Sequence, residues 1–329
     1  MPQLRKDPIV SRWVIIATER ARRPAAFIDP VSHATPGDAC PFCAGASSEQ
    51  VYAHDGVRVV KSGTPFFSSA ESFAPRTHGL YEVCHSHGAH EVVIETSQHI
   101  ANMADLPVEQ IKHVFATYAL RMAHYQKDAS VRYALAYKNY GVAAGSRHIG
   151  HARSQIMAVP VLPMRVRDKL SGAKRYFDFH ERCLFTDLVR QEQKDKERVV
   201  LETDNFLGFT PFAARFPFEL WIVLKRHHWD FVQGVAGLEE ELAKVMKTLL
   251  LKFKIGLNDP AYNFVIQTAP FDGGKQDLRK YPTIRDDYRW HIELTPRLTR
   301  VAGFERGTGF YICPIPPEMT ARFLRQVNV

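Results

Sequence analysis

The stretch HEVVIETSQHIANMADLPVEQIKHVFATYALRMAHY, residues 90–125, decides the fold class because the sequence contains it twice. The second copy is FELWIVLKRHHWDFVQGVAGLEEELAKVMKTLLLKF, residues 218–253. Each copy runs from an alternating strand pattern, past a histidine, into a segment with apolar residues at helical spacing. Glu91 aligns with Glu219 at an offset of 128 residues (219−91), and His99 aligns with His227 at the same offset. We therefore interpret the halves of the chain as divergent copies of one unit.

The repeat continues beyond the helical segment. The strands YALAYKNYG and YNFVIQTAP follow, and then SQIMAVPVLP in the first half and YRWHIELTPRL in the second. A strand, helix, strand, strand order with short connections predicts the α+β class, with an antiparallel sheet and helices packed on one side in each unit. The polar run MRVRDKLSG places the boundary between two predicted domains, 1–165 and 166–329. The run RQEQKDKE, residues 190–197, is expected to be a solvated turn.

Composition limits the classes of protein to consider. The chain has 329 residues and 45% hydrophobic content, enough for two buried cores. Its apolar runs are far shorter than the roughly 20 residues of a membrane span, and no signal-peptide pattern begins the chain, so we expect a cytoplasmic protein without a membrane partner. The net charge is +8, but no nucleic-acid motif accompanies it, so no nucleic-acid partner is expected. The positive excess also suits a phosphate-bearing small substrate, because arginine matches phosphate oxygens in geometry and charge.

The cysteine pair in CPFC, Cys40 and Cys43, indicates a metal site. An intracellular C-x-x-C pair more often holds a metal than a disulfide, and a closed zinc site needs two further ligands. Histidines are the candidates, and they include the dense segment CHSHGAH (84–90), His99 and His151. Residue type and spacing alone do not choose among them.

Several motifs, taken in order, resemble those of the galactose-1-phosphate uridylyltransferase family, which belongs to the histidine triad superfamily. They are LRKDPIVSRWVIIATERARRP, CPFC, GAHEVVIETSQH, NYGVAAG, HARSQIMAVPVLP, FTPFAARFPFELWIV and RWHIELTPRLTRVAGFERGTG. The resemblance extends over about residues 4–325. It implies two histidine-triad-like domains, in agreement with the repeat, and a homodimer of galactose metabolism that acts on nucleotide sugars and sugar phosphates. The second domain is expected to contribute sugar and phosphate contacts.

The resemblance also implies a zinc site. The family's ligand positions fall on Cys40, Cys43, His99 and His151. Four protein ligands close the coordination sphere, so the implied Zn²⁺ would brace the structure and not activate water. Some relatives hold a second metal with an H-x-H strand; here that strand reads HIE (291–293), and no second metal is expected.

The family's nucleophile position carries an arginine in this sequence. The family nucleophile is the second histidine of a His-x-His-x-Gln motif, which attacks the α-phosphorus of UDP-glucose; that position here is Arg153. A guanidinium has no free lone pair at neutral pH, so it cannot form the covalent intermediate. We therefore expect a nucleotidyltransferase in which the standard covalent mechanism is replaced, with His148 as an alternative nucleophile. Two other hypotheses are a nucleotide-sugar-binding protein without transferase activity, and a phosphorylase or hydrolase of an ADP-sugar or dinucleoside polyphosphate that works by direct in-line attack, with Arg153 stabilising the charge.

The remaining site positions concern phosphate and sugar contacts. By resemblance, the phosphate contacts are Arg20, Arg23, Asn139, Ser154 and Gln155, with Gln155 beside the reaction centre. Phe304 and Glu305, in the segment GFE, are the sugar contacts. The family's nucleotide-holding turn after the strand VRVV is replaced here by KSGTPFF.

Overall fold

A computed structural model describes residues 1–20, 40–43, 49–69, 72–146, 150–271 and 279–329. Within these ranges the strands are β1 (Gln3–Lys6), β2 (Trp13–Ile16), β3 (Gln50–His54), β4 (Val57–Lys61), β5 (Arg76–His78), β6 (Tyr81–Val83), β7 (Ala89–Ile94), β8 (Tyr133–Tyr140), β9 (Arg153–Val159), β10 (Val199–Glu202), β11 (Phe206–Phe209), β12 (Leu220–Leu224), β13 (Tyr262–Gln267), β14 (His291–Pro296) and β15 (Tyr311–Cys313). The α-helices are α1 (Val108–Gln126), α2 (Met164–His180), α3 (Leu184–Asp195), α4 (Phe231–Val235), α5 (Glu239–Gly256), α6 (Ile284–Asp287), α7 (Gly303–Thr308) and α8 (Pro317–Gln326).

One ten-stranded sheet carries both halves of the chain. Its order is β10-β11-β12-β14-β13-β8-β9-β7-β4-β3, and every neighbouring pair is antiparallel. The halves meet in the middle, where β8 pairs with β13 and Asn139 lies opposite Asn263. The predicted α+β class, with antiparallel pairing in duplicated units, is confirmed.

The two long repeat helices, α1 and α5, cover one face of this sheet. They pack against each other and against alternate strand residues, such as Ile156 in β9, Phe264 in β13 and Ile292 in β14, all fully buried. Successive side chains of a strand point to opposite faces, so the residues between these lie on the other side. We call the two sides the α1/α5 face and the opposite face.

The opposite face differs between the halves. In the second half, α2 and α3 cover it with a separate apolar cluster that includes Trp221, Leu170 and Phe185. In the first half, Arg153 and Gln155 on this face are only partly buried. The sheet therefore has helices on both sides in the second half. The predicted domain boundary at 165/166 lies in the first turn of α2.

The expected solvated turn at residues 190–197 is wrong for most of its length. Residues 190–195 form the C-terminal part of α3, in which Glu192 is buried. Its carboxylate accepts a 3.0 Å hydrogen bond from Arg198, which explains how so polar a run continues a packed helix. Among the described residues, no helix combines the length and apolar character that a membrane span requires.

Candidate functional site

The four cysteine and histidine residues implied by the resemblance come together. All four potential ligand atoms of Cys40, Cys43, His99 and His151 lie within 4.8 Å of one another. The Sγ of Cys43 is 3.3 Å from Nδ1 of His99, and the Sγ of Cys40 is 3.6 Å from Nδ1 of His151. Tetrahedral zinc with bonds of about 2.0–2.3 Å places its ligand atoms about 3.3–3.8 Å apart, so the donor set fits Zn²⁺ in both chemistry and spacing.

Surrounding groups orient these ligands. Nε2 of His151 donates to the carbonyl of Thr96 at 2.9 Å, which leaves Nδ1 facing the cysteines. Burial lowers the pKa of His151, so the neutral imidazole that binds metals prevails near neutral pH. Arg58 in β4 donates to the backbone carbonyls of Phe42 and Cys43 at 2.7 and 3.1 Å, which fixes the cysteine loop to the sheet.

Arg153 lies two residues after His151, at the first position of β9. Its guanidinium donates to the Ser146 hydroxyl at 3.0 Å and lies 5.1 Å from the ring centroid of Phe42. Because Phe42 stands between the two cysteines, the metal loop also positions this arginine. The side chain is half-buried on the opposite face, where a phosphate can reach it.

Gln155 shares this face with Arg153. Its Oε1 accepts hydrogen bonds from the hydroxyl of Tyr137 at 2.8 Å and from Nε2 of His90 at 2.7 Å. His90 uses both ring nitrogens, since its Nδ1 accepts from the Phe66 backbone amide. His90 also lines a cavity of about 460 Å³, together with Phe67, Ser62, Arg121 and other residues of the first half. Gln155 itself does not line this cavity, so His90 separates the cavity from the polar row of Arg153 and Gln155.

Asn139 in β8 completes the row of polar side chains. Its Oδ1 accepts a 2.6 Å hydrogen bond from Nδ2 of Asn263, across the pairing of β8 with β13. Arg297 in turn donates to Oδ1 of Asn263. The two halves of the sheet are thus connected by polar side chains at this site.

A buried ion pair below Arg153 was not predicted from the sequence. Lys138, fully buried in β8, donates to both oxygens of Glu95 at 2.9 and 2.7 Å and to the carbonyl of Arg153 at 3.0 Å. Burial lowers the pKa of Lys138, while Glu95 opposes that shift. Lys138 occupies a strand position that faces the apolar core beneath α1 and α5. Burying an unpaired charge there would cost too much free energy, so the sequence position of this lysine indicates that it has a buried anionic partner.

The structure does not bring every expected residue to this group. Ser154 points to the α1/α5 face, where its Oγ accepts a 2.5 Å hydrogen bond from Tyr118, because neighbouring strand residues alternate in direction. Glu305 uses its carboxylate to accept from the backbone amides of Ala302 and Ile312, and Phe304 packs against Phe310. Arg23 and His148 lie outside the described residues, and the structure describes only the backbone of Arg20.

In the second half, the HIE segment places His291 and Glu293 on the opposite face. Nζ of Lys169, from α2, lies 2.7 Å from Nε2 of His291 and also donates to Glu293. Burial lowers the pKa of His291 to about 4, so its imidazole is neutral. A lysine side chain therefore lies between His291 and Glu293.

Comparisons with known protein families match both halves. The model of the galactose-1-phosphate uridyl transferase N-terminal domain matches residues 1–163, and that of the C-terminal domain matches residues 169–304. The chain belongs to the galactose-1-phosphate uridylyltransferase family. The resemblance inferred from the motifs is thereby confirmed, and the family's known members include enzymes of the nucleotidyltransferase type.

Individual relatives within this uridylyltransferase family cover the whole chain. An ADP-glucose phosphorylase from Arabidopsis thaliana is 35% identical, with 100% of this chain and 93% of the relative covered. A galactose-1-phosphate uridylyltransferase from Thermotoga maritima is 28% identical, with coverage of 100% and 99%. Among solved structures, that of an Arabidopsis thaliana ADP-glucose phosphorylase with bound ADP-glucose has a TM-score of 0.82 at 32% identity, with both chains fully covered. A uridylyltransferase structure has a TM-score of 0.77 at 28% identity, with coverage of 99% and 97%.

Proposed function

We propose that the protein transfers the nucleotidyl group of a nucleotide sugar directly to a phosphate-bearing acceptor, without a covalent nucleotidyl-protein intermediate. The observation that carries this proposal is Arg153 at the first position of β9, on the same face as Gln155 and Asn139. A permanent cation there can hold phosphate oxygens but cannot attack phosphorus.

The proposed reaction is a single in-line displacement. An oxygen of the acceptor phosphate forms a bond to the α-phosphorus, while the bond from that phosphorus to the bridging oxygen breaks. The sugar 1-phosphate leaves with the electron pair of the broken bond. Arg153 would neutralise the charge on the non-bridging oxygens of the α-phosphate, and Gln155 would orient them through its amide. Arg20, Arg23 and Asn139 remain proposed phosphate contacts, and Phe304 and Glu305 proposed sugar contacts, by resemblance. The Ser154 hydroxyl is not included, because it faces Tyr118 on the α1/α5 face.

The acceptor determines which member of the family this reaction resembles. With inorganic phosphate the products are a nucleoside diphosphate and a sugar 1-phosphate, as expected for a phosphorylase. With a hexose 1-phosphate the product is a new nucleotide sugar. The 35% identity to an ADP-glucose phosphorylase favours inorganic phosphate, and the family models favour the sugar phosphate, so both acceptors belong in the assay.

The stereochemistry at phosphorus tests the proposal. We would supply ADP-glucose or UDP-glucose of defined configuration with sulfur at the α-phosphorus, together with inorganic phosphate or galactose 1-phosphate. One displacement inverts the configuration, whereas two successive displacements through a covalent intermediate retain it. In a second experiment the protein is incubated with radiolabelled nucleotide sugar and quenched in alkali. Retained configuration, together with alkali-stable label on the protein, would contradict the proposal. Loss of that label in His148→Ala would identify His148 as the nucleophile.

A second candidate function is nucleotide-sugar binding without turnover. The replaced nucleophile, Arg153, favours it. Thermal unfolding distinguishes it from transfer: a ligand at about 100 times its Kd adds roughly 2.7 kcal/mol to the apparent free energy of unfolding. Stabilisation by ADP-glucose or UDP-glucose without product formation, with either acceptor, would support this second function.

We further propose that Cys40, Cys43, His99 and His151 hold a structural Zn²⁺. The convergent ligand atoms and the hydrogen-bonded orientation of His151 support it. The ion would hold the cysteine loop, and therefore Phe42, beneath Arg153. A homodimer remains a prediction from the resemblance, and sedimentation velocity of the purified protein tests it. A cytoplasmic location remains a prediction from the sequence pattern.

A further inference from the structure

The second half of the sheet contains a cavity that the proposed reaction does not use. It has a volume of about 510 Å³ and lies on the opposite face, between the sheet and the start of α2. A cavity of this volume accommodates a ligand with the dimensions of a monosaccharide phosphate. Its lining combines apolar walls, including Val265 and Phe216, with several buried polar groups.

Strand pairing shows that this cavity is the second-half counterpart of the Arg153 site. Tyr137 pairs with Gln155 in the first half, and Val265 pairs with Glu293 in the second. Tyr137 and Val265 are 128 residues apart (265−137), the offset of the sequence repeat. Glu293 therefore corresponds to Gln155. By the same register Gln267 corresponds to Asn139, and both Glu293 and Gln267 line the cavity.

Polar atoms on the cavity lining lack partners. Among the described residues, Nε1 of Trp221, Oε1 of Gln267 and the hydroxyl of Tyr133 are buried without a hydrogen-bond partner. Trp221 and Gln267 are only 6% and 8% exposed, and Tyr133 is fully buried. A buried polar group without a hydrogen bond lowers the stability of the fold. Here one donor, one acceptor and one hydroxyl lie on the same cavity, which indicates a ligand that both donates and accepts hydrogen bonds. Sugar hydroxyl groups do so.

The charged lining residues comprise ion-paired groups, one further acidic residue, Asp168, and cations. Asp7 pairs with Arg12. Lys169 and Arg215 form ion pairs with Glu293, and Arg215 also pairs with Glu219. Arg297 is different: no carboxylate lies within 4 Å of it in the described part of the chain, and its guanidinium lies 5.4 Å from the Phe216 ring centroid.

Arg165, in the first turn of α2, lines the same cavity as Arg297. Burial, and after it the positive charges of Arg215 and Arg165, lower the pKa of Arg297. The first turn of α2 also lines the cavity and has no side-chain cap. Two cations and an uncapped helix N-terminus in one place favour an anionic group.

We propose that this cavity is a second ligand site that binds a sugar monophosphate. The phosphate lies at Arg297 and Arg165, and the sugar hydroxyl groups bond to Trp221, Gln267 and Tyr133. The apolar walls contact the C–H groups of the sugar ring. The site is distinct from the proposed reaction centre at Arg153, and its occupancy does not depend on that reaction.

Titration calorimetry with glucose 1-phosphate and glucose 6-phosphate tests the site. To remove binding at the reaction centre, the full-length Arg153→Gln protein is titrated beside wild type. We expect saturable binding of one equivalent per chain to Arg153→Gln by at least one of the two sugar phosphates. We expect glucose and inorganic phosphate to bind at least about ten-fold more weakly, since each makes only part of the contacts. Absence of saturable binding by both sugar phosphates to folded Arg153→Gln protein, or equal binding of inorganic phosphate, would overturn the proposal.

Three variants in the Arg153→Gln background then locate the ligand. Arg297→Gln removes the cation and is expected to weaken binding at least ten-fold, whereas Arg297→Lys keeps the charge and is expected to recover part of the affinity. Trp221→Phe keeps an aromatic ring but removes the Nε1 donor, with an expected loss of about three- to ten-fold. Arg322→Gln, at an exposed position of α8, is the matched control and leaves affinity unchanged. Thermal unfolding midpoints confirm that each variant is folded, and binding that survives both Arg297→Gln and Trp221→Phe places the ligand elsewhere.

Discussion

Arg153 occupies the first position of β9 within a set of groups that hold it from several directions. Ser146 accepts from its guanidinium, the Phe42 ring lies 5.1 Å from it, and Lys138 bonds to its backbone carbonyl. Such a supported guanidinium is suited to bind one charged group in one orientation. This favours phosphate recognition over a role as a passive surface charge.

The first prediction concerns this side chain. Arg153→Gln keeps a polar group of similar length but removes the charge, so transition-state oxygens lose their cation. We expect kcat for nucleotidyl transfer to fall about 100-fold or more, as for other lost charge-stabilising donors. Arg322→Gln, the same change at an exposed position of α8, is the control. A decrease below three-fold in Arg153→Gln with intact folding would contradict the assigned role.

The Lys138–Glu95 pair gives the second prediction. Lys138→Met leaves the Glu95 carboxylate buried without its cation, which costs about 3–5 kcal/mol of the free energy of unfolding. Glu95→Leu combined with Lys138→Met removes both charges and should recover most of that loss. Urea denaturation measures both. If the single and double variants were equally unstable, packing and not charge would explain the loss.

At the residue scale, the sequence predicted which four residues form the metal group better than it predicted their surroundings. The family motifs identified all four members of the metal group and Arg153. Strand alternation alone places the side chains of Ser154 and Gln155 on opposite faces. The position of Lys138 indicates that it needs a buried partner, but the identity of that partner was beyond reach, because it depends on the register between β7, β9 and β8, which neither residue specifies locally.

At the scale of elements, the cysteine loop and β9 are tied together by the metal group. We expect elemental analysis to find about one zinc per chain in the wild-type protein and to find that zinc lost in Cys43→Ser, which removes one thiolate. The unfolding midpoint should fall as well, because metal binding contributes to folding. Cys84→Ser, at an exposed cysteine outside the group, is the control. Full zinc content in Cys43→Ser would contradict the assignment.

The contact between α2 and the N-terminal segment gives a prediction about packing. A Cβ atom on Gly172 would lie 1.8 Å from the carbonyl oxygen of Ile9, so the helix approaches that backbone more closely than any side chain allows. We expect Gly172→Ala to destabilise the protein by about 1–3 kcal/mol, despite the higher helix propensity of alanine. Gly307→Ala in α7 has open space around it and should be neutral or slightly stabilising. Thermal denaturation compares the unfolding midpoints of the two variants. A higher midpoint for Gly172→Ala than for wild type would mean that α2 has room for a Cβ atom beside the Ile9 carbonyl.

The elements of the repeat were predictable, but their divergence was not. The strand and helix periods indicated the duplicated unit and its antiparallel sheet. The cover of α2 and α3 on the second half was not predicted, because charged runs such as RQEQKDKE hide the buried stripe of α3. His151 corresponds by strand register to Arg289, which donates to the carbonyls of Leu224 and Lys225. An arginine thus occupies in the second half the position of a metal ligand in the first.

At the scale of the whole molecule, the two halves share one sheet and one core. The apolar cluster beneath α1 and α5 contains residues of both halves, and polar bonds connect Asn139 to Asn263 across the central pairing. The sequence boundary at 165/166 divides the repeat, but it does not divide this core. We therefore infer that the halves unfold together.

Ile111→Ala tests this inference. Ile111 is fully buried in α1, and its truncation should cost about 2–5 kcal/mol, whereas Leu120→Ala at an exposed position of the same helix should cost far less. Three of the four tryptophans, Trp221, Trp229 and Trp290, lie in the second half, so tryptophan fluorescence reports mainly on that half. Far-UV circular dichroism reports on the secondary structure of both halves. If the shared core makes the molecule cooperative, Ile111→Ala shifts the urea midpoint equally by both signals. A fluorescence midpoint that stays at the wild-type value while circular dichroism shifts would mean that the halves are separate folding units, joined by the sheet but stable on their own.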